Sequence, residues 1–512
     1  MNPLSNYPLF GNVAKRSFFV CLALVGGVAG AAGQSTNHLS LEDLRQVRLP
    51  DVVLESAAPV EPDLQKHPHA AAYVDVKGVI GGNIRFELLL PEAWNGRFVM
   101  GGGGGFVGTV QNGAQDSVNR GYATVGTDTG HESPPGVTAR WALDNMEAKV
   151  DFGYLAVHRT AEVAKALIRG YYGADPAYSY FVGCSRGGGQ AMMEAQRYPK
   201  DFNGIVAGAP AFDWTGFAAT SVAISKALYP DPQRLDTNVL DKEALKKLQQ
   251  AILEQCDAQD GLKDGVVQDP PSAHFDLSKV EGFTDEQRKA IEAIYAGARN
   301  ENGLIYPGYS PGAECDPGNW IAWFVGPSAG TLKDHAPDLM FAFGTEIFKY
   351  LVFNNPDWDY STYSFSNFAN DTRLAASYLN ATNVDLSGLK ERNGKLIIWH
   401  GWADPALPAQ GTVNYYRQLQ NHDPNAAEYC RLFMVPGCLH CGGGPGASEV
   451  DWLAIIVGWV EHGAAPGKVI ASKHDYVRLR MTRPLYMYPT TAIYKGSGDP
   501  DSADSFVPKP AP

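Results

Sequence analysis

Tyr178-Ser179-Tyr180-Phe181-Val182 runs without a break into Gly183-Cys184-Ser185-Arg186-Gly187. Gln190-Ala191-Met192-Met193-Glu194-Ala195 then continues with helical spacing until Pro199. A strand, a turn of small residues and a helix, with a serine at the apex, allow few folds. The five-residue frame fits Gly-x-Ser-x-Gly, a tight strained elbow that exposes a nucleophilic hydroxyl at the top of a sheet. The same grammar repeats around it. Arg97-Phe98-Val99-Met100 ends in five glycines, and Tyr122-Ala123-Thr124-Val125 ends in Gly126. Phe152, Leu155, Ala156, Val163, Ala164, Leu167, Ile168 and Tyr171 fall at helical spacing, and Ile205-Val206-Ala207 is a further buried run. Strands alternating with helices predict an α/β fold: a mostly parallel sheet with helices on both faces.

The pattern lapses after about Trp214. The stretch that follows carries helical segments, Pro/Gly loops and many aromatics, but few strand signals. Strand grammar returns at Leu396-Ile397-Ile398-Trp399 and at Arg431-Leu432-Phe433-Met434-Val435. The chain therefore divides into a first core part over 34–214, an inserted lid domain over 215–380 and a second core part over 381–512. There is no internal repeat, and the Pro-, Ser- and Asp-rich tail from Gly496 is expected to be loose. Ahead of the core, Lys15 and Arg16 precede the apolar run Ser17–Val25 and the small residues Gly26–Gly33. That is the layout of a secretory signal peptide over 1–33, too short and too glycine-rich for a membrane anchor. Hydrophobic residues are 45% of the chain, enough for a sizeable core, and the net charge of -13 argues against nucleic acid or an anionic membrane as partner.

A serine hydroxyl needs a base, and the base needs an acid to orient it. In an α/β-hydrolase core these follow in the order serine, acid, histidine, each after a strand. Leu396–Trp399 leads to a loop with Asp404, and Leu432–Val435 leads to a loop with His440. Ser185, Asp404 and His440 are the candidate catalytic set. His400, at a strand end before the acid, is a rival base.

Seven cysteines are present, and Cys21 falls in the signal segment. Cys184 adjoins Ser185 and Cys441 adjoins His440. If serine and histidine come within hydrogen-bond reach, their neighbours can reach disulfide geometry. A Cys184–Cys441 bond would staple the two catalytic loops. Rival readings are a Cys438–Cys441 redox pair and zinc held by Cys438, His440 and Cys441, although a second ligand pair at metal spacing is missing.

Cys-Ser, then Asp, then His-Cys resembles the tannase and feruloyl esterase family of secreted α/β-hydrolases. The resemblance extends to Trp94–Phe98, Gly101–Gly105, Gly126–His131, Ser179–Phe181, Gly208–Ala211, Trp399–Asp404 and Val435–Gly437. It implies an ester hydrolase with a lid domain and a structural calcium ion. Activities in the family include feruloyl and galloyl esters and, in one branch, mono(2-hydroxyethyl) terephthalate. It also implies an oxyanion hole from the backbone of Gly103 or Gly104 together with Arg186.

Cys256–Val266 places three aspartates within eight residues, and such hard oxygens suit calcium. On its own the stretch reads equally as a metal loop or a solvated acidic turn. The family pattern assigns Asp257, Asp260 and Asp264 by side chain, and Leu262 and Val266 by carbonyl. This chain departs from that pattern where it reads Pro271–Phe275, which leaves Cys256 without its usual partner. Cys438 is also atypical, and the pairing of Cys256, Cys315, Cys430 and Cys438 stays open.

The resulting expectation is a secreted or periplasmic serine carboxylester hydrolase acting on small aromatic or plant-polymer-derived esters, with Trp320, Trp323, Phe324 and Trp358 as candidates for an acyl pocket. One alternative is a terephthalate monoester hydrolase, which needs a cation for the free carboxylate. Others are a peptidase, or a phenolic- or carbohydrate-binding protein that has lost catalysis. Asn370 and Asn380 head glycosylation sequons that matter only in a eukaryotic source.

Overall fold

The computed structural model describes residues 38–510, apart from 63, 65–68, 135, 317 and 327–335. The signal-peptide reading over 1–33 lies outside the described residues. His38–Pro512 forms one compact unit.

Nine strands make the central sheet, in the order β1-β2-β3-β5-β4-β6-β7-β10-β11. They are β1 (Val52–Val60), β2 (Tyr73–Ile80), β3 (Ile84–Pro91), β4 (Arg97–Gly101), β5 (Ala123–Thr127), β6 (Tyr178–Cys184), β7 (Gly204–Gly208), β10 (Lys395–Gly401) and β11 (Cys430–Val435). From β5 to β11 every pairing is parallel. β1, β2 and β3 add an antiparallel edge through β5, which the glycine-terminated pattern did not reveal. β2 and β3 are joined by a tight turn at Gly81-Gly82, where both residues have positive φ.

Successive side chains of a strand point to opposite faces, and both faces of the parallel strands are covered. Phe181, Ile205, Ile398 and Leu432 pack on one side, beneath the helices Ala156–Tyr172, Arg186–Arg197 and Ala409–His422. Tyr180, Val206, Ile397 and Phe433 pack on the other, against the helix Trp452–His462.

Residues between β7 and β10 leave the sheet. They form helices Trp214–Leu228, Lys242–Cys256, Asp285–Ala296, Leu339–Glu346 and Phe368–Leu379, with the hairpin of β8 (Ala298–Asn300) and β9 (Gly303–Tyr306). Their own core is rich in aromatics, including Trp320, Phe324, Tyr309 and Phe348. Departure and return meet at one point: Ala381 N donates to Phe212 O at 2.7 Å. Asn380 Nδ2 donates to Asp213 Oδ1 and Thr215 Oγ1, which ties down the second sequon asparagine.

The C-terminal segment forms β12 (Lys468–Asp475) with β13 (Arg478–Tyr486), and β14 (Thr491–Tyr494) with β15 (Phe506–Lys509). The loose tail expected from Gly496 is thus corrected. Phe506 is buried against Tyr494, with the Arg483 guanidinium 4.5 Å from its ring, and that anchor outweighs the polar composition around it.

Candidate active site

Ser185 sits between β6 and the helix Arg186–Arg197 with φ +64° and ψ -123°. Such a conformation costs about 1–3 kcal/mol for a residue with a Cβ, so the surroundings must enforce it. Ser185 N donates to Gly208 O at 3.0 Å, and Ala211 N donates to Ser185 O at 2.9 Å. The turn is so close that a Cβ on Gly183 would lie 2.4 Å from the Gly187 backbone, and one on Gly188 would lie 2.2 Å from Gly208 O.

The loops after β10 and β11 bring the partners in. Trp402 N donates to Val435 O and Ala403 N to Cys438 O, which binds the two loops together. Ser185 Oγ donates to His440 Nε2 at 2.7 Å, and His440 Nδ1 donates to Asp404 Oδ2 at 2.8 Å. Asp404 is buried, and burial alone would raise its carboxyl. The electrostatic pull of the His440 ring and the hydrogen bonds from His400 and His440 outweigh that and hold it well below the usual carboxylate range. The amides of Ala406 and Leu407 satisfy its other oxygen, at 2.8 and 3.0 Å.

His400 is not the rival base but a second buttress of the acid. Its Nε2 faces two acceptors, Asp404 Oδ2 and Leu407 O, both at 3.1 Å, so this nitrogen carries the proton. Its Nδ1 meets Thr412 Oγ1 at 2.7 Å, away from Ser185. The sequence signal for this role is the spacing of four residues from His400 to Asp404 across a strand end.

A disulfide joins Cys184 and Cys441, with Cα atoms 5.9 Å apart, and so links the two residues adjacent to Ser185 and His440. Cys256, Cys315, Cys430 and Cys438 are free thiols. The Cys438–Cys441 pairing is excluded, because Cys441 is committed to Cys184. Zinc held by Cys438, His440 and Cys441 is excluded for the same reason, as a disulfide sulfur carries no thiolate.

The glycine run lies where an oxyanion would form, but its amides are not equivalent. Gly103 N donates to Gln190 Oε1 at 3.1 Å and Gly104 N to Gln111 Oε1 at 2.8 Å. Gly105 is the glycine that lines the pocket beside Ser185 and His440. Arg186 occupies the first position of its helix, where an N–H has no acceptor within the helix.

Trp214, Phe217, Trp323 and Phe343 close the pocket from the inserted segment and leave about 20 Å³. Trp323 stacks on Phe343 with centroids 5.8 Å apart and meets the His440 ring edge-on at 5.9 Å. Trp320 and Phe324 are core residues instead, and Trp358 stacks on Phe348. Larger cavities of about 740 and 610 Å³ lie elsewhere and touch none of Ser185, Asp404 or His440. The Arg186 side chain is fully buried. Its guanidinium is 4.2 Å from the Phe152 ring and donates to the Phe152 and Gly153 carbonyls, and burial lowers it to about 9.

In the acidic loop, Asp257 accepts from the amides of Asp264 and Gly265, Asp260 from Leu262, and Asp264 from Val266. Burial pushes the Asp260 carboxyl up to about 6, and Asp264 and Asp257 push in the same direction. Three carboxylates within eight residues, with backbone carbonyls between them, are the hard-oxygen donor set that calcium takes. Arg483 takes one oxygen of Asp264 at 2.9 Å. The carboxylates are not gathered within 4.8 Å of one another in this structure.

Comparison with known proteins agrees with this geometry. The family model "Tannase and feruloyl esterase" matches residues 72–508. An uncharacterized esterase of Xanthomonas campestris is 33% identical, over 95% of this chain and 93% of its own length. The mono(2-hydroxyethyl) terephthalate hydrolase of Piscinibacter sakaiensis is 32% identical, over 83% and 81% respectively. The crystal structure of feruloyl esterase B from Aspergillus oryzae superposes with a TM-score of 0.78 at 25% identity, covering 92% of this chain and 99% of that one.

Proposed function

The chain belongs to the tannase and feruloyl esterase family, and from that premise we propose that it is a serine carboxylester hydrolase that cleaves esters of phenolic acids through an acyl-enzyme. The observation that carries the reading is the unbroken series Ser185–His440–Asp404, at 2.7 and 2.8 Å. Ser185 Oγ attacks the ester carbonyl while His440 Nε2 takes its proton. Asp404 holds the imidazole in the correct tautomer and stabilises the cation that forms. The oxyanion receives the Arg186 amide and a donor from the glycine run, where Gly105 is the residue at the pocket. The C–O bond then breaks and the alcohol leaves with the proton from His440. Water, deprotonated by the same histidine, releases the acid and regenerates Ser185.

The aromatic lining of Trp214, Phe217, Trp323 and Phe343 supports an aromatic acyl group. One observation favours a second reading. The mono(2-hydroxyethyl) terephthalate hydrolase of Piscinibacter sakaiensis is 32% identical to this chain, and its ester differs from the phenolic esters by a free carboxylate. Hydrolysis of methyl ferulate, methyl caffeate, methyl gallate, mono(2-hydroxyethyl) terephthalate and p-nitrophenyl acetate separates the two. Cleavage of the phenolic methyl esters, reduced at least about 10³-fold in Ser185→Ala, is expected. Preference for the terephthalate monoester favours the second reading. Activity unchanged in Ser185→Ala would refute both.

Calcium would be held by the Asp257, Asp260 and Asp264 carboxylates with the Leu262 and Val266 carbonyls. It would supply charge neutralisation to the inserted segment and no step of ester cleavage. The basic pair Lys15 and Arg16 ahead of an apolar run supports export to the periplasm or the medium. No helix among the described residues is long and apolar enough to cross a membrane.

A further inference from the structure

An oxyanion donor on a run of glycines needs outside support to keep its direction. Gly103 N and Gly104 N are taken by Gln190 and Gln111, and Gly105 follows them at the pocket. The chain turns there: Val107 N donates to Gly104 O at 3.0 Å, which closes a turn with Gly105 and Phe106 at its centre. Gly105 has φ +57° and Val107 has φ +45°. A β-branched residue rarely adopts a positive φ, so Val107 keeps it only where its neighbours enforce it.

The enforcing neighbour is the loop after β5. Gly108 N donates to Asp128 O at 3.0 Å, and Ser133 N donates to Gly108 O at 3.1 Å. A Cβ on Gly108 would lie 2.4 Å from the Ser133 Cβ, so the two loops touch with no room to spare. A third bond comes from a side chain. His131 Nε2 lies 2.9 Å from Phe106 O in a buried position. A carbonyl only accepts, so Nε2 carries the proton and donates. The His131 ring is stacked on Trp141, with centroids 3.6 Å apart and planes within 17°, and meets Phe152 edge-on at 6.0 Å. Burial lowers His131 to about 4, so the imidazole is uncharged near neutral pH. A rigid, neutral donor is thus aimed at the centre of the turn that carries Gly105.

We propose that His131 is a positioning residue for ester cleavage: its Nε2–H holds the Phe106 carbonyl and, through the turn Gly104–Val107, fixes the Gly105 N–H against the oxyanion. The inference rests on the acyl-enzyme reading above. His131 is not among the residues that line the pocket, so it acts through Phe106. A displaced oxyanion donor weakens the transition state more than the bound ester, and the loss falls on kcat. The Phe106 ring also packs on Trp214 and Phe343, with centroids 5.7 and 5.2 Å away. A merely structural role for His131 would pass to that pocket wall and show in KM.

The test compares wild type, His131→Phe, His131→Gln and Ser185→Ala in the full chain, each checked for folding by its unfolding curve. Kinetics are read on methyl ferulate and p-nitrophenyl acetate. Inhibition is read with ferulate, a ground-state ligand, and with phenylboronic acid, which becomes a tetrahedral anion on bonding to Ser185 Oγ. His131→Phe keeps a ring for Trp141 but leaves the buried Phe106 carbonyl without its donor. It is expected to lose about 30-fold in kcat on both esters and a similar factor in boronate affinity, with KM and ferulate inhibition within about threefold. His131→Gln, whose amide reaches the same carbonyl, should return to within about fivefold of wild type. Should His131→Phe not fold, His131→Asn, one bond too short for that carbonyl, takes its place. Unchanged kcat in a folded His131→Phe, a loss confined to KM, or no rescue by His131→Gln overturns the inference while inactive Ser185→Ala leaves the acyl-enzyme reading standing. Activity retained by Ser185→Ala overturns both.

Discussion

Asp404 accepts four hydrogen bonds, from His440, His400 and the amides of Ala406 and Leu407. That saturation keeps it ionised inside the protein and aims His440 at Ser185. The three residues of the series were legible in the sequence because each follows a strand in the required order. His400 as a buttress was not, since its role depends on a loop folding back over the strand end. Trp323 was one of four aromatic candidates, and only packing distinguishes it from Trp320 and Phe324, which are as apolar but fully enclosed. The space left beside Ser185, about 20 Å³, is close to one water. A phenolic ring enters only where a wall side chain gives way. Phe343 is held by Phe106 and Phe217, whereas the aromatic neighbours of Trp323 are Phe343 and the His440 ring. Trp323→Ala is therefore expected to raise the ratio of kcat/KM for methyl ferulate over that for p-nitrophenyl acetate by about tenfold. Steady-state kinetics on both esters read it directly, and an unchanged ratio would place the acyl group elsewhere.

At the scale of elements, the catalytic loops leave β6 and β11, which are separated by β7 and β10. Bonds within single loops do not fix their mutual position, and the Cys184–Cys441 disulfide does. It closes a loop spanning 257 residues in sequence, worth on the order of 5 kcal/mol in the chain-entropy model. The double variant Cys184→Ala/Cys441→Ala should lose stability by a few kcal/mol in denaturant. It should lose kcat by at least about 100-fold, because small misalignments of nucleophile and base are costly. Full activity in a folded double variant would reduce the bond to a stability device. The acidic loop invites a parallel test. Chelation with EGTA should lower the unfolding midpoint by several degrees, calcium should restore it, and Asp260→Asn should remove the response. A midpoint indifferent to calcium in the wild type would leave the loop a turn closed by Arg483. The element pattern also shows where sequence reading runs short. Parallel strands buried on both faces stand out as apolar runs. β1 alternates along an exposed edge, and β15 holds by a single buried phenylalanine, so neither produces such a run.

On the scale of the whole molecule, the inserted segment had a legible place in the sequence, since the strand pattern stops near Trp214 and resumes at Leu396. Its interior was not legible, because helices packed around aromatics carry no marker of which ring faces the pocket. That interior also encloses acids whose state depends on pH. Burial pushes the Glu314 carboxyl up to about 7, against the hydrogen bonds it receives from Gly312 N and Tyr295 Oη. Burial likewise pushes Asp338 up to about 7, against those from Phe341 N and Tyr229 Oη. Between about pH 4 and 7 the folded chain keeps two protons that the unfolded chain has released. Unfolding then loses protons, so stability falls as pH rises through that window and is fully reduced above it. Asp404 acts in the opposite sense, since its lowered value contributes stability that is lost only below the ordinary carboxylate range. It is silent over pH 5–8. Glu314→Gln and Asp338→Asn stay neutral throughout. The wild-type midpoint should fall from pH 5 to 8, and each variant should fall less, by a difference of about 1–3 kcal/mol. Unfolding curves for the three proteins at matched pH provide the measurement. Parallel pH dependences would show that both carboxyls are already ionised at pH 5, and that the inserted segment pays for two buried charges at every pH where the enzyme works.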